Sequence, residues 1–248
     1  MEGLGLMGKN AVVTGGGSGI GKAIAVALAR RGVNIVVCDI SEEMAKAACE
    51  ELKGMGVKSI YYIVDVREVE KDKELVDKIE KEFGQIDILV NNAGVSFTGS
   101  VLDMTPELWD LVNGINIRGS FFMSQAVFEK MLPRKKGRII NIASISGDRP
   151  ADRSDAAYCC SKAGVLMMSK VYAKAARGTE ITINSVSPGT IDTPLTAKLG
   201  TTVDPEKIPM ARMGSAAEVA EAVVFLASDM ASYVSGQNIR VNGGQFMY

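Results

Sequence analysis

The stretch TGGGSGIG, residues 14–21, most constrains what this chain can fold into, because it joins a strand pattern to a helix pattern. The apolar run KNAVVT precedes it, and IGKAIAVALARRG follows with apolar residues at helical spacing. A glycine-rich turn of this kind can hold a pyrophosphate on backbone N–H groups at the positive end of the helix. The stretch therefore predicts a nucleotide site, although its G-x-x-x-G-x-G spacing differs from the general G-x-G-x-x-G fingerprint.

The same alternation of strand and helix recurs along the chain. Apolar strands are predicted at NIVVCD, SIYYIVD, IDILVN, RIINIAS, ITINSVS and NIRVNGG, and one long helix is predicted between Pro106 and Pro133. Strands of this kind form a parallel sheet that helices cover on both faces. The predicted fold class is α/β, a three-layer α/β/α doubly wound Rossmann fold with a mainly parallel seven-stranded sheet, in a single domain over residues 1–248.

Composition excludes several classes of function. The chain has 28 Lys and Arg against 29 Asp and Glu, so no overall field attracts nucleic acid or an anionic membrane, and a small-molecule partner is favoured. No apolar run approaches the roughly 20 residues that span a bilayer, and no signal-peptide core follows the first residues, so we expect a cytoplasmic protein. The chain contains no histidine, which excludes Ser-His-Asp triads and His-ligated zinc, and no metal site is predicted.

The second predicted strand ends at Asp39, at about the distance from the glycines where an acidic side chain meets an adenosine ribose. A carboxylate there accepts hydrogen bonds from the ribose and repels a 2′-phosphate. No arginine stands next to Asp39 in the sequence. The sequence therefore predicts NAD as the cofactor rather than NADP.

Five motifs occur in a recognisable order: the glycine turn, NNAG from residue 91, Ser144, YCCSK from residue 158 and PGTIDTP from residue 188. Together they resemble the short-chain dehydrogenase/reductase family over essentially the whole chain. The resemblance implies an enzyme that interconverts a secondary alcohol and a ketone. It also implies a homo-oligomer, either a tetramer or a dimer, since tetrameric members end much like RVNGG.

The resemblance implies a catalytic group and a cofactor site. The catalytic residues would be Asn116, Ser144, Tyr158 and Lys162, with Asn116 holding a water of the proton relay. The residues that would contact the cofactor are Gly15, Ser18, Gly19, Ile20, Gly21, Asp39, Asp65, Val66, Asn91, Ala93, Gly94, Tyr158, Lys162, Pro188, Gly189, Ile191 and Thr193.

A phenol can move the proton in a chain without histidine. The unperturbed pKa of tyrosine is about 10, and a nearby ammonium together with a cationic nicotinamide favours the phenolate. Lys162 follows Tyr158 by one helical turn and shares its face. Ser144 would hold the substrate oxygen, with Ser146 as its rival, and it stands one residue further from Tyr158 than is usual in the family.

The adjacent Cys159 and Cys160 point away from Tyr158 on such a helix. The sequence predicts that they are reduced thiols that pack against the sheet or a neighbouring subunit.

Two segments are candidates for substrate contact. Residues 190–212 hold several prolines and are predicted to form a substrate-binding lid. Before Tyr158, the charged loop GDRPADRSDAA offers Arg149 and Arg153 to a polar or anionic substrate, unless its charges only pair with one another.

The first-choice substrate is a polar small molecule, namely a polyol, a sugar or a hydroxy acid. The alternatives are a 3-oxoacyl-(acyl carrier protein) reductase and a steroid or bile-acid hydroxysteroid dehydrogenase. A protein that senses NAD(H) without turnover is the alternative from a different class.

Overall fold

A seven-stranded sheet forms the centre of the molecule. The computed structural model describes residues 4–150, 156–198 and 207–247. The strands of the sheet are β1 (Asn10–Thr14), β2 (Asn34–Asp39), β3 (Ser59–Ile63), β4 (Ile88–Asn91), β5 (Lys136–Ile142), β6 (Glu180–Pro188) and β9 (Asn238–Val241). They lie in the order β3-β2-β1-β4-β5-β6-β9, and every pairing between them is parallel. The order reverses between β1 and β4, which is the switch point where open α/β sheets bind ligands.

Helices cover both faces of this sheet. Within the described ranges they are α1 (Gly19–Ala29), α2 (Glu42–Gly54), α3 (Asp72–Phe83), α4 (Pro106–Asn113), α5 (Ser120–Arg134), α6 (Ala156–Ala175), α7 (Pro194–Lys198) and α8 (Ala216–Ala227). Buried residues of α1, α2 and α8 form one core with the sheet, and those of α3, α5 and α6 form the other. The α/β/α Rossmann fold that the sequence predicted is confirmed.

Alternation along the strands explains why the sequence of each strand is continuously apolar. On β1, Val13 belongs to the core under α1, whereas its neighbour Val12 belongs to the core under α5. Successive side chains of a strand point to opposite faces, and both faces are covered here. Because every pairing is parallel, the carboxyl ends of all seven strands lie at one edge of the sheet. The loops that follow the strands form a cleft at this edge.

The long helix predicted between Pro106 and Pro133 is not uniform. The chain forms α4, then a π-helical segment (Gly114–Gly119), and then α5, which includes Pro133 in its last turn. The helix ends beyond Pro133 because Lys135 adopts a left-handed conformation with φ of 54°. π-Helical turns are rare and occur frequently at functional sites, and this one contains Asn116.

The predicted lid has some regular structure. Its first part forms β7 (Ile191–Asp192) and α7, and β7 pairs with β8 (Gly214–Ser215) just before α8. Residues 199–206 lie outside the described residues. No helix in the described ranges has the length and the apolar content needed to cross a membrane.

Candidate active site

The carboxyl ends of the strands enclose one cleft with a volume of about 530 Å³, within the usual range for small-molecule sites. Most of the predicted site residues line it: Gly15, Ser18, Gly19, Ile20, Asp39, Asp65, Val66, Ala93, Gly94, Ser144, Tyr158, Lys162, Pro188, Gly189, Ile191 and Thr193. Gly21, Asn91, Asn116 and Arg149 do not, and Arg153 lies outside the described residues.

The glycine turn precedes α1 and forms part of the cleft wall. Gly15 and Gly19 have φ of 61° and 51°, a conformation that favours glycine. Ser18 precedes α1 without capping it through its side chain, and no acidic residue stands in the first helical turn. The first N–H groups of a helix lack intrahelical partners, so this end of α1 fits a pyrophosphate.

Gly21 has a packing role that differs from the predicted cofactor contact. It is buried, and a Cβ placed on it would collide with the carbonyl oxygen of Gly15 and lie near the side chain of Asn92. The third glycine of the turn therefore allows the helix to pack closely against the loop that precedes it.

Asp39 lies at the far end of the cleft and is only 8% exposed. Its Oδ2 accepts a hydrogen bond of 2.9 Å from the N–H of Gly17, and its Oδ1 accepts one of 3.0 Å from the N–H of Ser41. The carboxylate therefore fixes the glycine turn and is itself fixed at the position predicted to meet the adenosine ribose.

Arg67 is a lining residue that the sequence did not predict. Its Nε lies 3.0 Å from both oxygens of Asp65, and its Nη2 bonds to Oδ2. Hydrogen bonding to this guanidinium holds the pKa of the Asp65 carboxyl below its usual value. The predicted adenine contacts Asp65 and Val66 thus form one wall together with an arginine.

Asn91 points into the interior instead of lining the cleft, which corrects the prediction. Its Nδ2 donates hydrogen bonds of 2.8 Å to Ser124 and Asn141, and its side chain is 3% exposed. The adjacent Asn92 lines the cleft in its place. The alternation of β4 explains the exchange, because consecutive residues at a strand end face opposite ways.

Thr14 and Asn92 join the NNAG turn to the glycine turn. The hydroxyl of Thr14 accepts hydrogen bonds from the N–H groups of Asn92 and Ala93 at 3.0 and 3.1 Å. In return, Nδ2 of Asn92 donates to the carbonyl oxygens of Thr14 and Gly15, both at 3.0 Å. The two turns are therefore held as one surface.

Tyr158 and Lys162 stand one turn apart on α6, and both line the cleft. The buried ammonium of Lys162 donates a hydrogen bond of 2.7 Å to the carbonyl oxygen of Ile142. Its Nζ lies 5.7 Å from the centre of the Tyr158 ring. Burial lowers the pKa of Lys162 to about 8, because desolvation disfavours the charged form. The geometry places an ammonium with a lowered pKa near the phenol ring.

Ser144 faces the same cleft from the end of β5. Its Oγ accepts a hydrogen bond of 3.1 Å from the N–H of Ser146. Ser146, its predicted rival, is buried and is not a lining residue. The structure therefore favours Ser144 as the serine that can reach a substrate.

Asn116 lies behind the cleft and is 1% exposed. Its Oδ1 accepts a hydrogen bond of 2.9 Å from the N–H of Val95. Its Nδ2 donates bonds of 3.0 Å to the carbonyl oxygen of Val95 and to Oγ of Ser161. The side chain therefore acts as a brace between protein segments, and the role of Asn116 in holding a water of the proton relay stays a prediction.

Arg149 lies away from the cleft, against the C-terminal segment. Its Nη2 donates a hydrogen bond of 3.2 Å to the carbonyl oxygen of Gln245, and its guanidinium lies 5.4 Å from the Phe246 ring centre. The preceding Asp148 pairs with Arg240 at 2.8 Å. Asp148 and Arg149 therefore contact the C-terminal part of the chain, which differs both from the predicted substrate contact and from the alternative in which the loop charges pair with one another.

The adjacent cysteines differ from the prediction of packing against the sheet. Cys160 is exposed and Cys159 is half-buried, whereas Cys38 and Cys49 are buried. All four are reduced thiols, as the sequence predicted. Packing of Cys160 against a neighbouring subunit stays a prediction.

The fold and this site together define an NAD(P)-dependent oxidoreductase that acts on CH–OH groups. A family model described as enoyl-(acyl carrier protein) reductase matches residues 15–245, and the chain belongs to the short-chain dehydrogenase/reductase family. It is similar to 3-oxoacyl-[acyl-carrier-protein] reductase FabG of Thermotoga maritima, with 39% identity over 249 residues that cover 96% of this chain and 98% of that protein.

Solved structures agree with this assignment. A short-chain type dehydrogenase/reductase from Mycobacterium marinum matches with a TM-score of 0.94 at 33% identity over 98% of each chain. A candidate NAD(P)-dependent gluconate 5-dehydrogenase from Beutenbergia cavernae, with NADP bound at low occupancy, matches with a TM-score of 0.92 at 30% identity over 97% of this chain and 98% of that one.

Proposed function

We propose that this enzyme interconverts 3-oxoacyl and 3-hydroxyacyl thioesters with NAD(H). The observation that carries the proposal is the 39% identity to a 3-oxoacyl-[acyl-carrier-protein] reductase over nearly the full length of both proteins. The polyol, sugar or hydroxy acid that the sequence favoured has weaker support from these relatives. The order of the two substrate predictions is therefore exchanged.

The residues of the cleft divide the chemistry between them. Bound NAD(H) supplies or accepts the hydride. Tyr158 exchanges the proton with the substrate oxygen, and the Lys162 ammonium favours the phenolate when the alcohol is oxidised. Ser144 holds that oxygen beside the phenol, which is a positioning role.

Asp39 supports NAD(H) over NADP(H) in this proposal. Its carboxylate is held by two backbone N–H groups and turned toward the cleft. A 2′-phosphate placed there would meet a fixed negative charge that is almost fully buried. The NAD(P)-dependent structural neighbour carries NADP at low occupancy, so the assay below compares both cofactors.

A hydroxy acid is the second candidate substrate. The structural neighbour at 30% identity is a candidate gluconate 5-dehydrogenase, and a preference for NAD is compatible with alcohol oxidation. Leu195 of α7 lines the cleft, and its exposed apolar side chain fits an acyl chain better than a polyhydroxy chain.

Absorbance of the reduced nicotinamide tests the proposal. The enzyme is assayed with NADH and NADPH against acetoacetyl-CoA, an acetoacetyl acyl carrier protein, 5-ketogluconate and a 3-ketosteroid. The proposal predicts the highest kcat/KM with NADH and a thioester. A higher value with 5-ketogluconate supports the second candidate, and a higher value with the steroid, or no turnover of any substrate, contradicts both.

The predicted homo-oligomer belongs to the same proposal. Light scattering of the purified enzyme gives its mass directly. A tetramer or a dimer is expected, and a monomer at micromolar concentration would contradict it.

A further inference from the structure

Ser161 occupies the turn of α6 between Tyr158 and Lys162 and is fully buried. Its hydroxyl donates a hydrogen bond of 2.8 Å to the carbonyl oxygen of Tyr158. The hydroxyl oxygen of Ser161 in turn accepts a hydrogen bond of 3.0 Å from Nδ2 of Asn116. Ser161 therefore joins the helix turn that carries the phenol and the ammonium to the π-helical segment.

The side chain of Asn116 extends this connection to the loop after β4. Both hydrogens of its amide are used, one on the carbonyl oxygen of Val95 and one on Ser161, and its oxygen accepts from the N–H of Val95. Without the hydroxyl of Ser161, one of these hydrogens would be left unpaired in a site that is 1% exposed. A buried donor without a partner is costly, so the amide would rotate or shift to find another.

Gly94, next to Val95 in the chain, lies close to the reacting groups. A Cβ placed on Gly94 would lie 3.3 Å from Oδ1 of Asn116 and 3.5 Å from Nζ of Lys162. The backbone of Gly94 therefore lies near both the Asn116 amide and the Lys162 ammonium. Displacement of Val95 by a fraction of an ångström changes the space in which Lys162 stands.

We infer that Ser161 is a positioning residue, which acts through Asn116 and the loop at Val95 to hold Lys162 and Tyr158 in their reactive arrangement. The inference rests on the roles proposed for Tyr158 and Lys162 and is independent of which substrate the enzyme uses. Ser161 touches neither the cleft nor the reacting atoms, so its effect is on geometry alone.

Ser169 provides a matched control on the same helix. It is buried, its hydroxyl donates 3.0 Å to the carbonyl oxygen of Val165, and it accepts a bond of 2.8 Å from Nδ2 of Asn141. Its chemistry thus repeats that of Ser161 two helical turns further on, although Ser185 also bonds to it at 2.7 Å. The two serines differ in their distance from Tyr158 and Lys162.

The variants Ser161→Ala and Ser169→Ala test the inference with NADH and acetoacetyl-CoA. We expect Ser161→Ala to lower kcat by about 10- to 100-fold, the range for misplacement of reacting groups, and to shift the alkaline limb of the kcat profile. KM for NADH should stay within about threefold. Ser169→Ala should lower thermal stability by at least as much as Ser161→Ala does. It should leave kcat within about threefold of the unmodified enzyme. Equal kcat in the two variants, or an unmoved pH profile in Ser161→Ala, overturns the inference.

A second measurement needs no substrate. Amide hydrogen exchange at Val95 reports its bond to Asn116, and we expect protection there to fall about tenfold in Ser161→Ala and to stay unchanged in Ser169→Ala. Unchanged protection in Ser161→Ala overturns the inference even when the rates differ. If the unmodified enzyme does not turn over acetoacetyl-CoA, the proposed substrate fails, while the exchange measurement still decides the role of Ser161.

Discussion

Replacement of Asp39 by asparagine is expected to change the choice between NADH and NADPH. The substitution keeps the size of the side chain but removes the negative charge and one of the two acceptor oxygens. Those oxygens now accept from the N–H groups of Gly17 and Ser41 at 2.9 and 3.0 Å. Asparagine can satisfy only part of this arrangement, and its NH₂ group can donate to a phosphate.

Two terms set the size of the effect. A hydrogen bond to a charged group contributes about 1.5–3 kcal/mol, so weaker ribose binding lowers NADH affinity by about 10- to 100-fold. Two unit charges 4 Å apart repel by about 4 kcal/mol at an effective dielectric constant of 20, and Asp39 is too buried for water to screen this fully. Together these terms raise the ratio of kcat/KM for NADPH over NADH by at least about 100-fold.

Initial rates with each cofactor at saturating second substrate measure the ratio. Asp65→Asn is the matched control, because it removes the other carboxylate of the adenosine end, which is already paired with Arg67. That variant should weaken the binding of NADH and of NADPH by a similar factor. A ratio in Asp39→Asn within about threefold of the unmodified enzyme would refute the assignment of Asp39 to the ribose.

Three further perturbations have defined outcomes. Gly21→Ala drives a methyl group into the carbonyl oxygen of Gly15, so cofactor affinity measured by NADH fluorescence should fall more than about tenfold, and wild-type affinity would contradict the packing role. Because burial lowers the pKa of Lys162 to about 8, its ammonium is lost as pH rises, and kcat/KM should decline above about pH 8; a flat profile to pH 10 argues against its role. Burial raises the pKa of Asp72 to about 7, and its Oδ2 has no hydrogen-bond partner among the residues that the structure describes. Ionisation of this carboxyl therefore destabilises the folded protein above about pH 7, and protonation toward pH 4 removes that cost. Urea unfolding should show that Asp72→Asn is more stable than the unmodified protein by about 1–3 kcal/mol at pH 8 but not at pH 4. An equal gain in the free energy of unfolding at both pH values would contradict this.

The sequence was sufficient to predict the order of the main elements and the end of the sheet at which the cleft lies. Glycine, proline and apolar periodicity are local signals, and a strand such as NIVVCD coincides with β2 from Asn34 to Asp39. The segment SAAE, residues 215–218, likewise forms a capping box at the start of α8, with the Glu218 carboxylate accepting a hydrogen bond from the N–H of Ser215. Local backbone preference and local side-chain chemistry decide both features.

The π-helical segment had no such local signal. Its register depends on contacts with distant residues: Gly119 lies against Val66, and Gly164 of α6 leaves room for Ile117. The same limit applies to Arg67, which lines the cleft because Asp65 holds its side chain there. Tertiary contacts of this kind have no counterpart in hydrophobic periodicity.

Residues of the site that face inward were the hardest to assign. NNAG gave two adjacent asparagines of equal chemistry, and only the pleat of β4 decides that Asn91 enters the core and Asn92 the cleft. Arg149 was a reasonable candidate from its charge, but its partners, Gln245 and Phe246, come from the far end of the chain. A charged residue near a site in sequence needs its neighbours in space before it can be assigned a ligand.

Transfer of a hydride paired with a proton from Tyr158 is the central claim, and Tyr158→Phe tests it most directly. This variant keeps the ring beside Lys162 and removes only the hydroxyl. Nicotinamide absorbance with the substrate that the unmodified enzyme prefers should show a loss of kcat of about 100-fold or more, as expected for removal of a general acid, while NADH affinity stays within about threefold. Turnover of Tyr158→Phe at the rate of the unmodified enzyme would contradict the account.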